Sequence, residues 1–231
     1  TPHILGHAAM RKAMEHAIFD SLLAVIGNGA ESLRPPSTSQ ARRQIVDRAR
    51  EYMRHHVNEP ITVADLCAVL NVSRRTLQYS FQDVLDVNPV SFLRAMRLNG
   101  VRRARYENGK RRGYDFATYI SSRASTWPDL VVGDNVLIYE HAIIQPFCLI
   151  GNNTIIRSGA HVSHHCRVDD HAFVAAEVAM GGEGHVGEQA FVGVGAVLRD
   201  RIRIAPRSFI GAGAVVVNDT EADGAYVGNP A

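Results

Sequence analysis

From Val132 to Val216 an aliphatic residue recurs at every sixth position without a slip: Val132, Ile138, Ile144, Ile150, Ile156, Val162, Val168, Val174, Met180, Val186, Val192, Leu198, Ile204, Ile210 and Val216. Two residues before most of them stands a small one, as at Ala142, Cys148, Thr154, Ala160, Cys166, Ala172, Ala190, Ala196, Ser208 and Ala214. A helix repeats at about 3.6 residues and a strand at about 2, so neither accounts for a period of six. A solenoid does. Three six-residue faces close one triangular coil, with the aliphatic residue pointing inward and the small one fitting the tight corner. The spacing predicts a left-handed parallel β-helix over residues 113–231. GYDFATYI (113–120) should form a lead-in strand, and EADGAYVGNPA (221–231), which leaves the period, should fold back as a loop.

The charge divides at the same place. Residues 1–112 carry 18 Lys+Arg against 10 Asp+Glu, and residues 113–231 carry 7 against 13, so +8 and −6 give the overall +2. Such asymmetry predicts two modules with different partners, the basic one suited to a polyanion. A chain of 231 residues has room for both and for a sizeable core. Cys67, Cys148 and Cys166 are too few and too scattered for a disulfide framework, and two of them fall on corner positions, where packing is the expected role. No apolar run is long enough to span a bilayer and no signal-peptide pattern opens the chain. A cytoplasmic protein without a membrane partner is expected.

In the basic half, residues 8–26 read as an amphipathic helix, and Glu31–Gln40, with Pro35-Pro36 and a Ser/Thr cluster, as a linker, so that residues 1–39 form a helix plus linker. Ala41–Val57 reads as a second helix with Ile45, Val46, Ala49 and Met53 on one face. Beyond it, Thr62 can cap a helix over Val63–Leu70, Asn71-Val72 can make a tight turn, and Ser73 can cap a helix from Arg74 to Val84. Leu66, Val69, Leu77 and Phe81 are then the apolar contacts, and Arg74, Arg75, Gln78 and Tyr79 face out. That is a helix-turn-helix with guanidinium and amide groups ready for base edges and phosphates.

Two stretches, ITVADLCAVLNVSRRTLQYSF and NPVSFLRAMRLNGVRRAR, carry a resemblance over residues 40–105 to the DNA-binding region of AraC-type transcription activators, and most to the ethanolamine-operon regulator. The resemblance implies a partial AraC-type module over residues 40–112 that contacts DNA through Arg74, Arg75, Gln78 and Tyr79. The second helix-turn-helix of that family does not follow; after Arg105 the chain changes to YENGKRRGYDFATYISS.

Histidines gather around one coil of the acidic half: His161, His164 and His165, with His141, His171 and His185 nearby. His164 falls two residues after the inward Val162, at a corner where a side chain points out, and three histidines within five residues there point to a general base. GVGA (193–196) and GAGA (211–214) are corner glycines rather than a phosphate loop. A backbone N–H near Gly181–Gly182 could hold a developing oxyanion.

Residues 113–231 resemble the hexapeptide acyltransferases of the sialic-acid O-acetyltransferase (NeuD-like) and bacillosamine-pathway sugar N-acetyltransferase group. The resemblance rests on VVGDNVLIYEHAIIQPFCLIGNNTIIRSGAHVSHHCRVDDHAFV, GVGAVLRDRIRIAPRSFIGAGAVVV and the ending YVGNPA. It implies acetyl transfer from acetyl-coenzyme A to an amino or hydroxyl group of a sugar or nucleotide-sugar, without a metal, with His164 as base and His165 where some relatives put a carboxylate. It also implies a homotrimer, with the acyl donor in the groove between subunits near Gly181, Gly182, Gly193, Gly195, Gly211 and Gly213. Asp169 and Glu177 are the candidates to orient His164. Two rival readings stand beside this one. A histidine-bound zinc ion on the same fold needs a paired-histidine spacing that is not found. A DNA-binding regulator trimerised by its solenoid accounts for the basic half.

Overall fold

The structure, a computed structural model, describes residues 39–56, 59 and 61–231; the helix expected over residues 8–26 and the linker before Ser39 lie outside the described residues. The described residues belong to one packed unit. Within it four helices, α1 (Ser39–His55), α2 (Val63–Leu70), α3 (Arg74–Leu85) and α4 (Pro89–Arg111), precede seventeen two-residue strands, β1 (Tyr119–Ile120) to β17 (Ala225–Tyr226).

The helix boundaries follow from their caps. Thr62 accepts from the Asp65 N–H while Asp65 accepts from the Thr62 N–H, a reciprocal pair that satisfies two end donors of α2. Asn71 ends α2 with φ 52°, and its N–H goes back to the last turn. Ser73 caps α3 through the Thr76 N–H, and Asn88 caps α4 through the Ser91 N–H with Pro89 at the first position. Leu66, Leu70, Leu77, Phe81 and Leu85 close the helical core with Val46, Ala49 and Met53 of α1. Val69, read from the sequence as a core contact, is instead 47% exposed. Leu70, one residue on, is turned inward by the helical twist.

The hexads form three parallel sheets around one core. The first, β1-β3-β6-β9-β12-β15-β17, has seven strands; β4-β7-β10-β13-β16 and β2-β5-β8-β11-β14 have five each. Each strand from β1 to β13 pairs with the one eighteen residues on, as Val132 with Ile150 and Ile150 with Val168. The inward row from Ile138 to Val216 is buried throughout, as are the residues two positions before each member, most of them small. Cys148 and Cys166 belong to that second set, donating weakly to the Ser163 and Gly181 carbonyls.

Between strands the chain turns a corner, and the third residue of every corner from Asn135 to Gly213 has positive φ, between 51° and 72°. Only three of these are glycine (Gly159, Gly195, Gly213). The others hold a conformation that costs an L-residue about 1–2 kcal/mol, which the ladder bonds above and below maintain. The tail corrects the sequence reading. Rather than folding back as a loop, it adds β17, pairing Phe209 with Ala225 and Ile210 with Tyr226. That spacing is sixteen residues instead of eighteen, which is why the hexad pattern missed it.

Helix α4 lies along the seven-stranded face. Arg102 donates to the His171 and Ala172 carbonyls, Arg103 to the Gln189 side chain, and Lys110 and Tyr106 both reach Asp134. From α1, Arg50 and Arg54 reach Asp223. Part of the basic half thus faces carboxylates and carbonyls of the acidic half of its own chain.

Candidate active site

Each corner turns its second and third residues outward, and at the corner between β7 and β8 these are His164 and His165, both exposed. His165 takes the left-handed position, with φ 57°. That turn brings the rings together: Nδ1 of His164 lies 3.1 Å from Nδ1 of His165, the ring planes at 85°. Such a contact holds when one Nδ1 carries the proton. When it is His164 that donates, its Nε2 keeps a lone pair able to accept a proton from elsewhere.

The neighbouring coils build the rest of the site. The His164 N–H donates to Oε1 of Gln145 at 3.1 Å, and the Phe147 ring lies 4.7 Å from that of His165. On the following coil, position 182 stands directly over position 164. A Cβ there would lie 2.8 Å from Cε1 and Nε2 of the His164 imidazole, so glycine leaves the slot that the ring occupies. Glu183 stacks over His165, and its carboxylate is held below the usual range, first by hydrogen bonds from Arg201 at 3.2 Å. Gln145, Phe147 and Glu183 were not singled out by sequence reasoning, although a step of eighteen residues from His164 and His165 leads to this neighbourhood.

Several expectations change. The Gly181 and Gly182 N–H groups are engaged, with the Leu198 carbonyl at 2.9 Å and Oδ1 of Asp200 at 2.8 Å, so neither is open to an oxyanion in this arrangement. Asp169 does not orient His164. Its carboxylate is bound by Arg167 at 2.5 Å and by Nε2 of His185 at 2.7 Å; these partners outweigh its burial and hold it below the usual range. Glu177 belongs to another edge of the prism, at the corner between β9 and β10. His171 is buried beneath α4 against Tyr106 and bonded to Asn153, and burial depresses its pKa. His161 points outward from β7 with a buried Nε2 that has no partner among the described residues.

Gly193, Gly195, Gly211 and Gly213 fall on the same edge as Glu177. Gly195 and Gly213 are left-handed, with open space where a side chain would stand. Gly193 and Gly211 lie close under the next coil, where a Cβ would meet Ala212 N at 2.7 Å and Val227 Cγ1 at 2.6 Å. Within one chain the sheet containing β7, β10 and β13 separates these glycines from His164. On α3, Arg74, Arg75, Gln78 and Tyr79 are exposed as expected, with the Arg75 guanidinium 5.4 Å from the Tyr79 ring centroid. No group of three His, Cys, Asp or Glu among the described residues is arranged to hold a metal ion, and no helix among them is long and apolar enough to cross a membrane.

Residues 129–164 match the family described as bacterial transferase hexapeptide (six repeats). The fold is similar to the acetyltransferase domain of PglB from Neisseria gonorrhoeae in complex with acetyl coenzyme A, at 28% identity and TM-score 0.55 over 57% of this chain and 64% of that one. It is likewise similar to PerB from Caulobacter crescentus in complex with CoA and GDP-perosamine, at 30% identity and TM-score 0.56 over 57% and 64% of the two chains. The chain therefore spans a little less than two thirds of the length of these structures.

Proposed function

We propose that the solenoid is an acetyl-coenzyme A-dependent acetyltransferase acting on an amino or hydroxyl group of a sugar or nucleotide-sugar. The observation that carries this is the exposed His164 imidazole, paired through Nδ1 with His165 and seated in the slot left by Gly182. Its support from outside the chain is the hexapeptide match and the likeness to the acetyltransferase domain of PglB with acetyl coenzyme A and to PerB with CoA and GDP-perosamine. The acceptor nitrogen or oxygen attacks the thioester carbonyl, Nε2 of His164 takes its proton, the C–S bond breaks, and the coenzyme A thiolate leaves to be protonated in turn. His165 is the positioning partner that keeps the proton of His164 on Nδ1.

Within one chain the glycine edge and the histidine edge stand on opposite sides of the sheet that contains β7, β10 and β13. A homotrimer that sets the Gly193–Gly213 edge of one copy against the His164 edge of the next would place the donor in the groove between them, and that assembly belongs to this reading. Incubating the full chain with acetyl-CoA and a panel of nucleotide-linked amino sugars, following free thiol release and the added acetyl group by mass spectrometry, tests it. Thiol release that needs an acceptor and is lost in His164→Ala is expected; absence of turnover with every acceptor overturns it.

A second reading rests on the exposed Arg74, Arg75, Gln78 and Tyr79 of α3, behind the capped turn at Asn71. In it the helices are a partial AraC-type module that contacts DNA through this one face.

A further inference from the structure

Where α1 and α4 meet the far end of the seven-stranded face, helices and solenoid do not close on each other. They leave a cavity of about 400 Å³, within the size range of small-molecule sites. Its floor is apolar. Phe191 and Phe209 stack in parallel with centroids 5.2 Å apart, so their edges rather than their faces line the opening, and Phe92 of α4 meets Phe209 edge-on at 4.9 Å. Met96 completes this apolar side.

The rim is basic and short of counter-charge. Arg50 and Arg54 come from α1 and Arg207 from the corner before β15, and all three converge on Asp223. Arg207 binds the carboxylate through two nitrogens at 2.9 and 2.8 Å, Arg54 lies 3.4 Å from it, and Arg50 donates to the Asp223 carbonyl. The other charged wall residues, Arg103 and Glu107, match each other at 2.6 Å. Asp47, 3.4 Å from Arg50, does not line the cavity. Among the described residues these three guanidiniums thus face two carboxylates, Asp223 and Asp47, and the cavity side carries one positive charge in excess. Burial holds Arg50 below the usual guanidinium value in spite of Asp47 and Asp223.

We propose that this cavity binds a small aromatic phosphate, the class to which nucleoside monophosphates belong, with the phosphate against Arg50, Arg54 and Arg207 and the ring over the edges of Phe191 and Phe209. A phosphate group meets the excess positive charge, and guanidiniums bind phosphate oxygens through paired N–H groups. The exposed phenylalanine edges carry partial positive charge, so the electron-rich face of a ligand ring lies well on them. The site is on a different face of the prism from His164 and does not depend on that histidine's role. Its occupant would touch α1, α4 and the solenoid together, and so should stabilise their junction.

Calorimetric titration of the full chain with phenyl phosphate, AMP, UMP, benzoate and inorganic phosphate tests the proposal, with thermal unfolding as a second readout. Phenyl phosphate or a nucleotide should bind saturably with Kd below about 1 mM, and benzoate and inorganic phosphate about tenfold more weakly or worse. Arg54→Ala and Arg207→Ala should each weaken binding by about tenfold. Ala95→Leu, which fills the cavity and leaves its charges in place, should abolish it while the chain unfolds at an unchanged or higher temperature. The proposal is overturned if no aromatic phosphate binds saturably, if benzoate binds as well as phenyl phosphate, if inorganic phosphate alone binds equally well, or if Ala95→Leu and Arg54→Ala bind like the parent chain.

Discussion

Position 182 carries glycine because position 164 carries an imidazole, and that pairing separates the effect of a side chain on activity from its effect on stability. His164→Ala should lower kcat for acetyl transfer by roughly 10²–10⁴-fold, the usual contribution of a positioned base, with little change in Tm. Gly182→Ala asks a finer question. Its Cβ would crowd only the far end of a side chain, so the ring should move and the fold should hold. The expected result is a kcat loss of about tenfold or more with Tm nearly unchanged. Gly151→Ala is the contrast, because there the Cβ would meet the Asp170 backbone N at 2.6 Å and the coil itself must shift; Tm should fall. Equal activity in Gly182→Ala and the parent would remove the slot from the mechanism. The candidate base was legible from the hexad register, which puts residue 164 outward. The Nδ1 contact with His165 was not, since it needs the positive φ at His165, and neither were the other commitments of Asp169, Gly181 and Gly182.

At the scale of the element, one inward row and one docked helix hold the described residues together. Val174 is 1% exposed within the row, so Val174→Asp would bury a carboxylate without a partner, at a cost on the order of 3–5 kcal/mol. Loss of the cooperative unfolding transition by circular dichroism is expected. Arg157→Ala, which removes only an exposed guanidinium 4.4 Å from the Tyr139 ring centroid, should be far milder. The docking of α4 adds a pH dependence. Burial raises the Asp134 pKa, but hydrogen bonds from Lys110 and Tyr106 outweigh it and leave the carboxyl below the usual range. A group depressed on folding contributes stability above its unfolded pKa, near about 3.9, and loses it as pH falls through the folded value. Asp134→Asn should therefore lower Tm at pH 7, and the gap to the parent should close as pH falls below about 4; a gap that is the same at every pH would mean that the ionised carboxylate contributes nothing. The hexads were legible because one rule repeats at every coil. The docking of α4 was not, because its contacts join residues far apart in sequence, as Arg103 to Gln189 and Arg50 to Asp223, and no local period encodes them.

For the molecule as a whole, the charge division acquires a meaning that composition alone did not carry. A basic half of +8 beside an acidic half of −6 reads as a polyanion-binding module. Yet Arg50, Arg54, Arg102, Arg103 and Lys110 are turned toward the solenoid, three of them onto its carboxylates or side-chain amide, and the free positive surface is correspondingly smaller. What remains on the exposed face of α3 is Arg74 and Arg75, with Gln78 and Tyr79 beside them. Two or three phosphate contacts give a slope of log K against log salt of about −2 to −3, and one short helix offers few base contacts. A trimer would add avidity, but three-fold symmetry does not match the two-fold symmetry of a duplex. DNA binding should therefore be weak and nearly blind to sequence. A salt titration against random and operator-like duplexes should return similar affinities that both fall as salt rises, and Arg74→Ala with Arg75→Ala should flatten the slope by about 2. A preference of about 10³-fold or more for one duplex at physiological salt, the range of specific regulators, would reverse the order of the two readings and make the α3 face, rather than the His164 corner, the centre of this protein's function.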